Sequence, residues 1–258
     1  MGLRERSILI RLPLFLFVRI VAREGERLIG EKIISFESID STNRFLKENY
    51  RFYPDGTVVV ALEQTSGYGR NGRHWHSPRG GLWFSVLFKP RKSLELSFYT
   101  RVFSVAVVKT LENMKIHANI KWPNDVYING RKLAGVLSEG IFEGAKPLAV
   151  VVGVGMNVNN EIPAELKTRA ISLKEITGKE ISVVKLIESI LKNARVIFRK
   201  YSKKKEALTR IWKRYLLQKE GDIISLEGKK GKIVKINPDS LLIDFDGEIK
   251  KVYSLSPH

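Results

Sequence analysis

The stretch KWPNDVYINGRKLAGVLSEG, residues 121–140, decides the fold. Two strand-like runs meet at Asn129-Gly130, the strongest short-range hairpin signal a sequence offers. Alternation along a strand from Arg131 to Glu139 puts Arg131, Leu133 and Gly135 on one face and Lys132 and Ala134 on the other. Lys132 is therefore expected among apolar neighbours, where an ammonium is costly unless it meets an anion. That makes it a candidate ligand-binding residue. Trp122-Pro123-Asn124-Asp125 reads as a tight turn capped by its own polar side chains, or as part of the same site.

Outward from this hairpin the text stays regular. Leu148–Val154 is a strand ending in GVGMNVNN, whose glycines suit either close backbone packing or a ligand at a strand end. On the other side, LWFSVLF at 82–88 is apolar on both alternating faces and reads as a central strand. TVVVAL at 57–62 and KIISF at 32–36 add two more, and Asp40, Ser41 or Thr42 caps a short helix. Helical spacing is expected over about 97–114, over 182–201 behind Ser182, and over a strongly basic 203–217. From Gly221 the pattern breaks into four short strands separated by turn residues. The whole reads as an α+β domain with a small β-barrel appended, divided into an extension at 1–30, a main domain at 31–217 and a C-terminal unit at 218–258.

Between the second and third strands lies GYGRNGRHWHSP, residues 67–78. Its G-x-G-x-x-G matches a dinucleotide fingerprint in letters only, because such a fingerprint opens a helix and Pro78 follows too soon. The glycines let backbone N–H groups approach phosphate, Arg70 and Arg73 can hold phosphate or carboxylate bidentately, and Trp75 offers a stacking face. A loop for a nucleotide or an acidic ligand is the sharper reading. No G-x-x-x-x-G-K-[ST] occurs, which excludes a Walker-type loop, and His74 with His76 lacks further ligands at metal spacing.

Composition limits the rest. The 258 residues hold 45 Lys+Arg against 27 Asp+Glu, a net charge of +18, with 43% hydrophobic residues and no cysteine. Disulfides, thiol nucleophiles and cysteine zinc sites are excluded, and a folded core is expected. The excess charge admits a nucleic-acid-binding protein as a competing reading. Much of it is local, however: residues 1–30 hold six arginines against three glutamates, and residues 199–219 hold nine Lys+Arg against one glutamate. The apolar run Ile8–Ile20 is broken by Arg11, Pro13 and Arg19, so it reads as a strand or a surface-packing segment. No membrane association is expected, and a cytoplasmic protein is.

Taken together, Asp40-Ser41-Thr42-Asn43, Gln64 ahead of GYGRNGRHWHSPRGGLWFS, KWPNDVYINGRKLAGVLSEG and GVGMNVNN resemble the biotin–protein ligase family in order and spacing, over about residues 31–258. The resemblance implies a mixed sheet with helices on one side and an SH3-like C-terminal domain. It implies formation of biotinyl-5′-AMP from biotin and ATP, with Mg2+ carried by the nucleotide, followed by transfer to a lysine of a biotin carboxyl carrier domain. Arg70 and Lys132 match residues near the biotin carboxylate and the α-phosphate, with Lys121 and Asp125 as further catalytic positions. Ser41, Thr42, Asn43, Gln64, Tyr68, Gly69 and Gly135 match the biotin lining. Arg73, Trp75 and Asn157 match the ATP side, as phosphate clamp, adenine platform and nucleotide contact.

Two departures stand out. Tyr68 sits where many members carry a basic residue. The roughly 30 residues before Lys32, with Pro13 among them, show no helix-turn-helix pattern, so a monofunctional ligase without operator binding is expected, as a homodimer. Lipoate–protein ligases share the fold, but their double-arginine, triple-glycine loop is missing here.

Overall fold

The computed structural model describes residues 5–12, 16–23, 29–90, 95–226 and 228–255, the first two segments as backbone only. Those two segments, β1 (Glu5–Leu12) and β2 (Leu16–Arg23), pair antiparallel, so the run Ile8–Ile20, expected as one strand or a surface-packing segment, contributes to two strands; residues 1–4, 13–15 and 24–28 lie outside the described residues.

The main domain follows as β3 (Ile33–Ile39), α1 (Thr42–Asn49), β4 (Val58–Gln64), β5 (Leu82–Phe88), α2 (Leu96–Asn113), β6 (Asn119–Lys121), β7 (Asp125–Ile128), β8 (Arg131–Glu143), β9 (Lys146–Met156), α3 (Leu173–Thr177), α4 (Val183–Tyr201) and α5 (Lys205–Tyr215). Seven strands form one mixed sheet in the order β3-β4-β5-β9-β8-β7-β6, with β3 and β4 parallel and every other neighbouring pair antiparallel. The β7–β8 turn has Asn129 at φ 48° and Gly130 at φ 76°, the paired left-handed conformations that a two-residue hairpin turn demands.

All seven residues of β5 are buried, because both faces of the sheet are covered. On one face, Phe84, Val86 and Phe88 of β5 and Val150, Val152 and Val154 of β9 join α2 and α4 in the main core. On the other, Leu46 of α1 packs with Val59, Leu87, Ala149 and Val151. This corrects the expectation of helices on one side only. The central strands are apolar in both directions, so the second face needs its own cover, and α1 supplies part of it.

Helix α4 begins where Ser182 Oγ accepts from Lys185 N at 3.4 Å, and it buries Leu186, Ile187, Ile190, Leu191, Ala194 and Ile197. Ser182→Ala is expected to cost about 1 kcal/mol, read as a lower urea midpoint with an unchanged slope.

The C-terminal unit comprises β10 (Ile223–Leu226), β11 (Lys229–Ile236), β12 (Leu241–Phe245) and β13 (Glu248–Val252), antiparallel in that order. The expected barrel is an open sheet: among the described residues β10 and β13 do not pair. Strand β10 has four residues, and Glu248–Lys251 of β13 are exposed with three charged side chains, the composition of a protected edge. Its inner residues Ile233, Ile236, Leu241 and Ile243 join the main core. Trp122, 3% exposed, pins the two units together: its Nε1 donates to Asn237 O at 3.0 Å, and its backbone N–H donates to Gln218 Oε1 at 2.9 Å.

Candidate active site

Side chains at odd-numbered positions of β9 face α1 and the 67–78 loop, and there the strand carries Gly153 and Gly155. A Cβ on Gly153 would run into the Asn43 side-chain amide, and one on Gly155 would stand 2.8 Å from Trp75 Nε1. These glycines let other parts of the chain, or a ligand, lie directly on the sheet. Above them is a cavity of about 400 Å³.

One end of the cavity is polar and closed. Ser41 caps α1 by accepting from Arg44 N at 3.4 Å, which turns the start of the helix toward the sheet. Ser41, Thr42 and Asn43 are all at most 5% exposed. Gln64 Oε1 accepts from Thr42 N at 2.9 Å, and its Nε2 donates to Ser77 Oγ at 3.0 Å, so Gln64 ties α1 to the loop. Ser85 Oγ lies 2.7 Å from Thr42 Oγ1 and 2.5 Å from Asn43 Oδ1.

The loop is itself a narrow hairpin. Trp75 N donates to Gly67 O at 2.9 Å and Gly69 N to Arg73 O at 2.8 Å, with Arg70–Gly72 as a 3-10 turn at the tip. No helix follows, so the Rossmann reading stays excluded. Tyr68 Oη donates to Glu139 Oε2 at 2.8 Å; burial first, then that carboxylate, pushes its pKa up, so the phenol remains a donor through neutral pH. Arg70 is pushed down by burial, opposed by Asp125 and reinforced by Arg73, and its Nη2 donates to Tyr253 O of the C-terminal unit at 2.7 Å.

In the middle stands Lys132, and here simple alternation fails. Val126 pairs with Ala134 but Tyr127 pairs with Lys132, so a β-bulge inserts Leu133 into β8. Leu133 and Ala134 both enter the core, whereas Lys132 shares the cavity face with Gly135. The expected apolar surroundings of Lys132 are thereby corrected. Its Nζ meets Asp125 Oδ2 at 2.7 Å and lies 4.7 Å from the Trp75 ring centroid, as a cation–π pair. The Trp75 indole lies on the sheet glycines, with its buried Nε1 lacking a hydrogen-bond partner among the described residues.

At the far end, Asn157 N donates to Leu133 O at 2.9 Å and its Oδ1 accepts from Asn160 Nδ2 at 3.1 Å. Lys121 sits over the Tyr127 ring at 5.4 Å. Every site residue singled out in the sequence, from Ser41 to Asn157, lines this one cavity. Sequence reading missed Ser85 and Glu139, which the sheet brings in from distant strands. It also missed Arg169, held beside Lys132 by Lys132 N donating to Arg169 O at 2.8 Å, and Ser254 and Leu255 of the C-terminal unit. No local pattern marked any of them.

Among the described residues, the cavity gathers Arg70, Arg73, Lys121, Lys132 and Arg169 around a single carboxylate, Asp125. Such a site suits two anionic reactants brought side by side. With Asp125 held by Lys132, the donor set fits an Mg2+ ion that arrives on phosphates better than one caged by side chains.

Residues 35–157 match the model of the biotin/lipoate A/B protein ligase family. The chain is 36% identical over 241 residues to the bifunctional ligase/repressor BirA of Bacillus subtilis, covering 89% of this chain and 73% of that protein. It is also 36% identical over 104 residues to the biotin–[acetyl-CoA-carboxylase] ligase of Paracoccus denitrificans, covering 39% of this chain and 43% of that one. The solved biotin protein ligase from Aquifex aeolicus in complex with biotin and ATP superposes with a TM-score of 0.74 at 34% identity, covering 88% of this chain and 97% of that one. Likeness of this depth, along nearly the whole of one ligase and most of another, means that the chain belongs to the biotin protein ligase family.

Proposed function

We infer that this protein is an ATP-dependent biotin protein ligase. The observation that carries this reading is the polar, closed end at Ser41–Asn43 running over bare sheet glycines into a cluster of cations, within one cavity. A biotin carboxylate oxygen attacks the α-phosphorus of ATP, the bond from that phosphorus to the bridging oxygen breaks, and pyrophosphate leaves. Lys132 and Arg70 offset the charge of the two anions, Arg73 holds phosphate, and Trp75 offers its face to the adenine. Mg2+ adds charge neutralisation when it comes in on the nucleotide. The ε-amine of an acceptor lysine then attacks the acyl carbon and AMP leaves, with Asp125 placed to take the amine proton. Ser41, Thr42, Asn43, Gln64, Tyr68, Gly69 and Gly135 surround the biotin ring and chain, and Asn157 the nucleotide.

The acceptor is a biotin carboxyl carrier domain, as the name of the Paracoccus relative suggests. The reading further includes a homodimer without operator binding, in the cytoplasm. Among the described residues, no helix is long and apolar enough to cross a membrane. Neither the lipoate nor the nucleic-acid alternative is favoured as the main function, since the Paracoccus relative and the solved neighbour are named biotin ligases and the Bacillus relative a ligase/repressor. Incubation with biotin, MgATP and a carrier domain should add one biotinyl group to the carrier by mass and release pyrophosphate. An unchanged carrier mass without pyrophosphate overturns the reading, and a gain with lipoate instead of biotin redirects it.

A further inference from the structure

We propose that Glu139 is a positioning residue that couples closure of the 67–75 loop to the polar end of the cavity. The inference rests on the ligase reading and adds a residue that does not itself line the cavity. Its carboxylate, 20% exposed, collects three donors: Lys47 Nζ on Oε1 at 2.6 Å, and Asn43 Nδ2 and Tyr68 Oη both on Oε2 at 2.8 Å.

A carboxylate oxygen has two lone pairs, so Asn43 and Tyr68 can share Oε2 without displacing each other. The consequence for Asn43 is a fixed amide. Its Nδ2 must face Glu139, and its Oδ1 must face Ser85 at 2.5 Å, because an amide oxygen can only accept and the hydroxyl proton must come from Ser85. That amide stands directly over Gly153, at the closed end of the cavity. The consequence for Tyr68 is a latch. It is the loop residue whose hydroxyl reaches Glu139, it lies two residues before Arg70, and Arg44 of α1 sits 6.0 Å from its ring. The oxygen that orients the amide therefore also holds the loop down.

The test uses the full chain loaded with synthetic biotinyl-5′-AMP, and reads adenylate release by rapid filtration after a chase. Tyr68→Phe, which removes only the phenol hydroxyl, should speed release about tenfold, within the worth of a hydrogen bond to a charged group. Glu139→Gln should speed it at least as much. In the Glu139→Gln background, Tyr68→Phe should change release by less than about twofold, because its acceptor is already altered. Lys47→Ala, which removes a partly exposed ion pair on the other oxygen, should leave release as in the parent.

Parental release in Tyr68→Phe, additive effects in the double variant, or equal acceleration by Lys47→Ala would each overturn the proposal. If Glu139→Gln fails to fold, Tyr68→Phe against Lys47→Ala still decides. Failure of the ligase reading is seen separately, as a parent protein that makes no adenylate from biotin and MgATP.

Discussion

Lys132→Ala should reduce adenylate formation by roughly 100- to 1000-fold while leaving the thermal midpoint close to that of the parent. The ammonium sits at the centre of the cavity with Asp125 at 2.7 Å on one side and the Trp75 ring at 4.7 Å on another. Removing it does more than subtract one cation. It leaves the Asp125 carboxylate without its partner where a biotin carboxylate and a triphosphate must approach, so attraction becomes repulsion. The fold should persist because the bonds holding this point of β8 are main-chain ones, Lys132 N to Arg169 O at 2.8 Å and Ile171 N to Lys132 O at 3.0 Å. Both ends of the ion pair are about a quarter exposed, so its own contribution to stability is small. Pyrophosphate release and a thermal melt measure the two halves, and full activity in this variant would refute the role given to Lys132.

Why Lys132 was legible while its surroundings were not is a matter of range. Strand identity, the Asn129-Gly130 turn and the Ser182 cap depend on neighbours a few residues away, and those signals stand in the text. The bulge at Leu133 depends on how β8 meets β7, and no alternation rule within one strand reveals it. The same holds for Glu139, which lies 71 residues from Tyr68 and 96 from Asn43 in sequence. Its role exists only once β8, α1 and the loop are together. Likewise the Arg70 bond to Tyr253 spans 183 residues, and the second-face position of α1 reflects the apolar backs of β5 and β9.

The +18 charge also separates into parts. In α5, Leu208 and Trp212 are fully buried, while Arg210 and Arg214 on its other side are exposed. The basic run is therefore the solvated side of an amphipathic helix, apart from the cavity. On the proposed reading it would attract an acidic carrier domain at a distance, whereas the cations lining the cavity are few: Arg70 and Arg73 from the loop, Lys121 from β6, Lys132 from β8, and Arg169.

Gly153→Ala tests whether bare sheet backbone is what makes room at the closed end. The added Cβ would run into the Asn43 amide, which is held from behind by Glu139 at 2.8 Å and from the side by Ser85 at 2.5 Å. With both partners fixed, the amide cannot retreat without giving up a buried hydrogen bond, and each such loss is worth about 1–3 kcal/mol. Biotin affinity should therefore fall roughly 10- to 100-fold, and stability should fall by about 1–3 kcal/mol through overpacking. Gly155→Ala provides the contrast. Its Cβ would meet the Trp75 indole, whose Nε1 at 2.8 Å has no hydrogen-bond partner to lose among the described residues. That variant should cost less stability and act mainly on the nucleotide side, as a raised KM for ATP. Calorimetric titration with biotin and urea unfolding of both proteins separate these outcomes. Parental biotin affinity in Gly153→Ala would show that Asn43 can yield, and that the closed end is not set by the packing of Asn43 on Gly153.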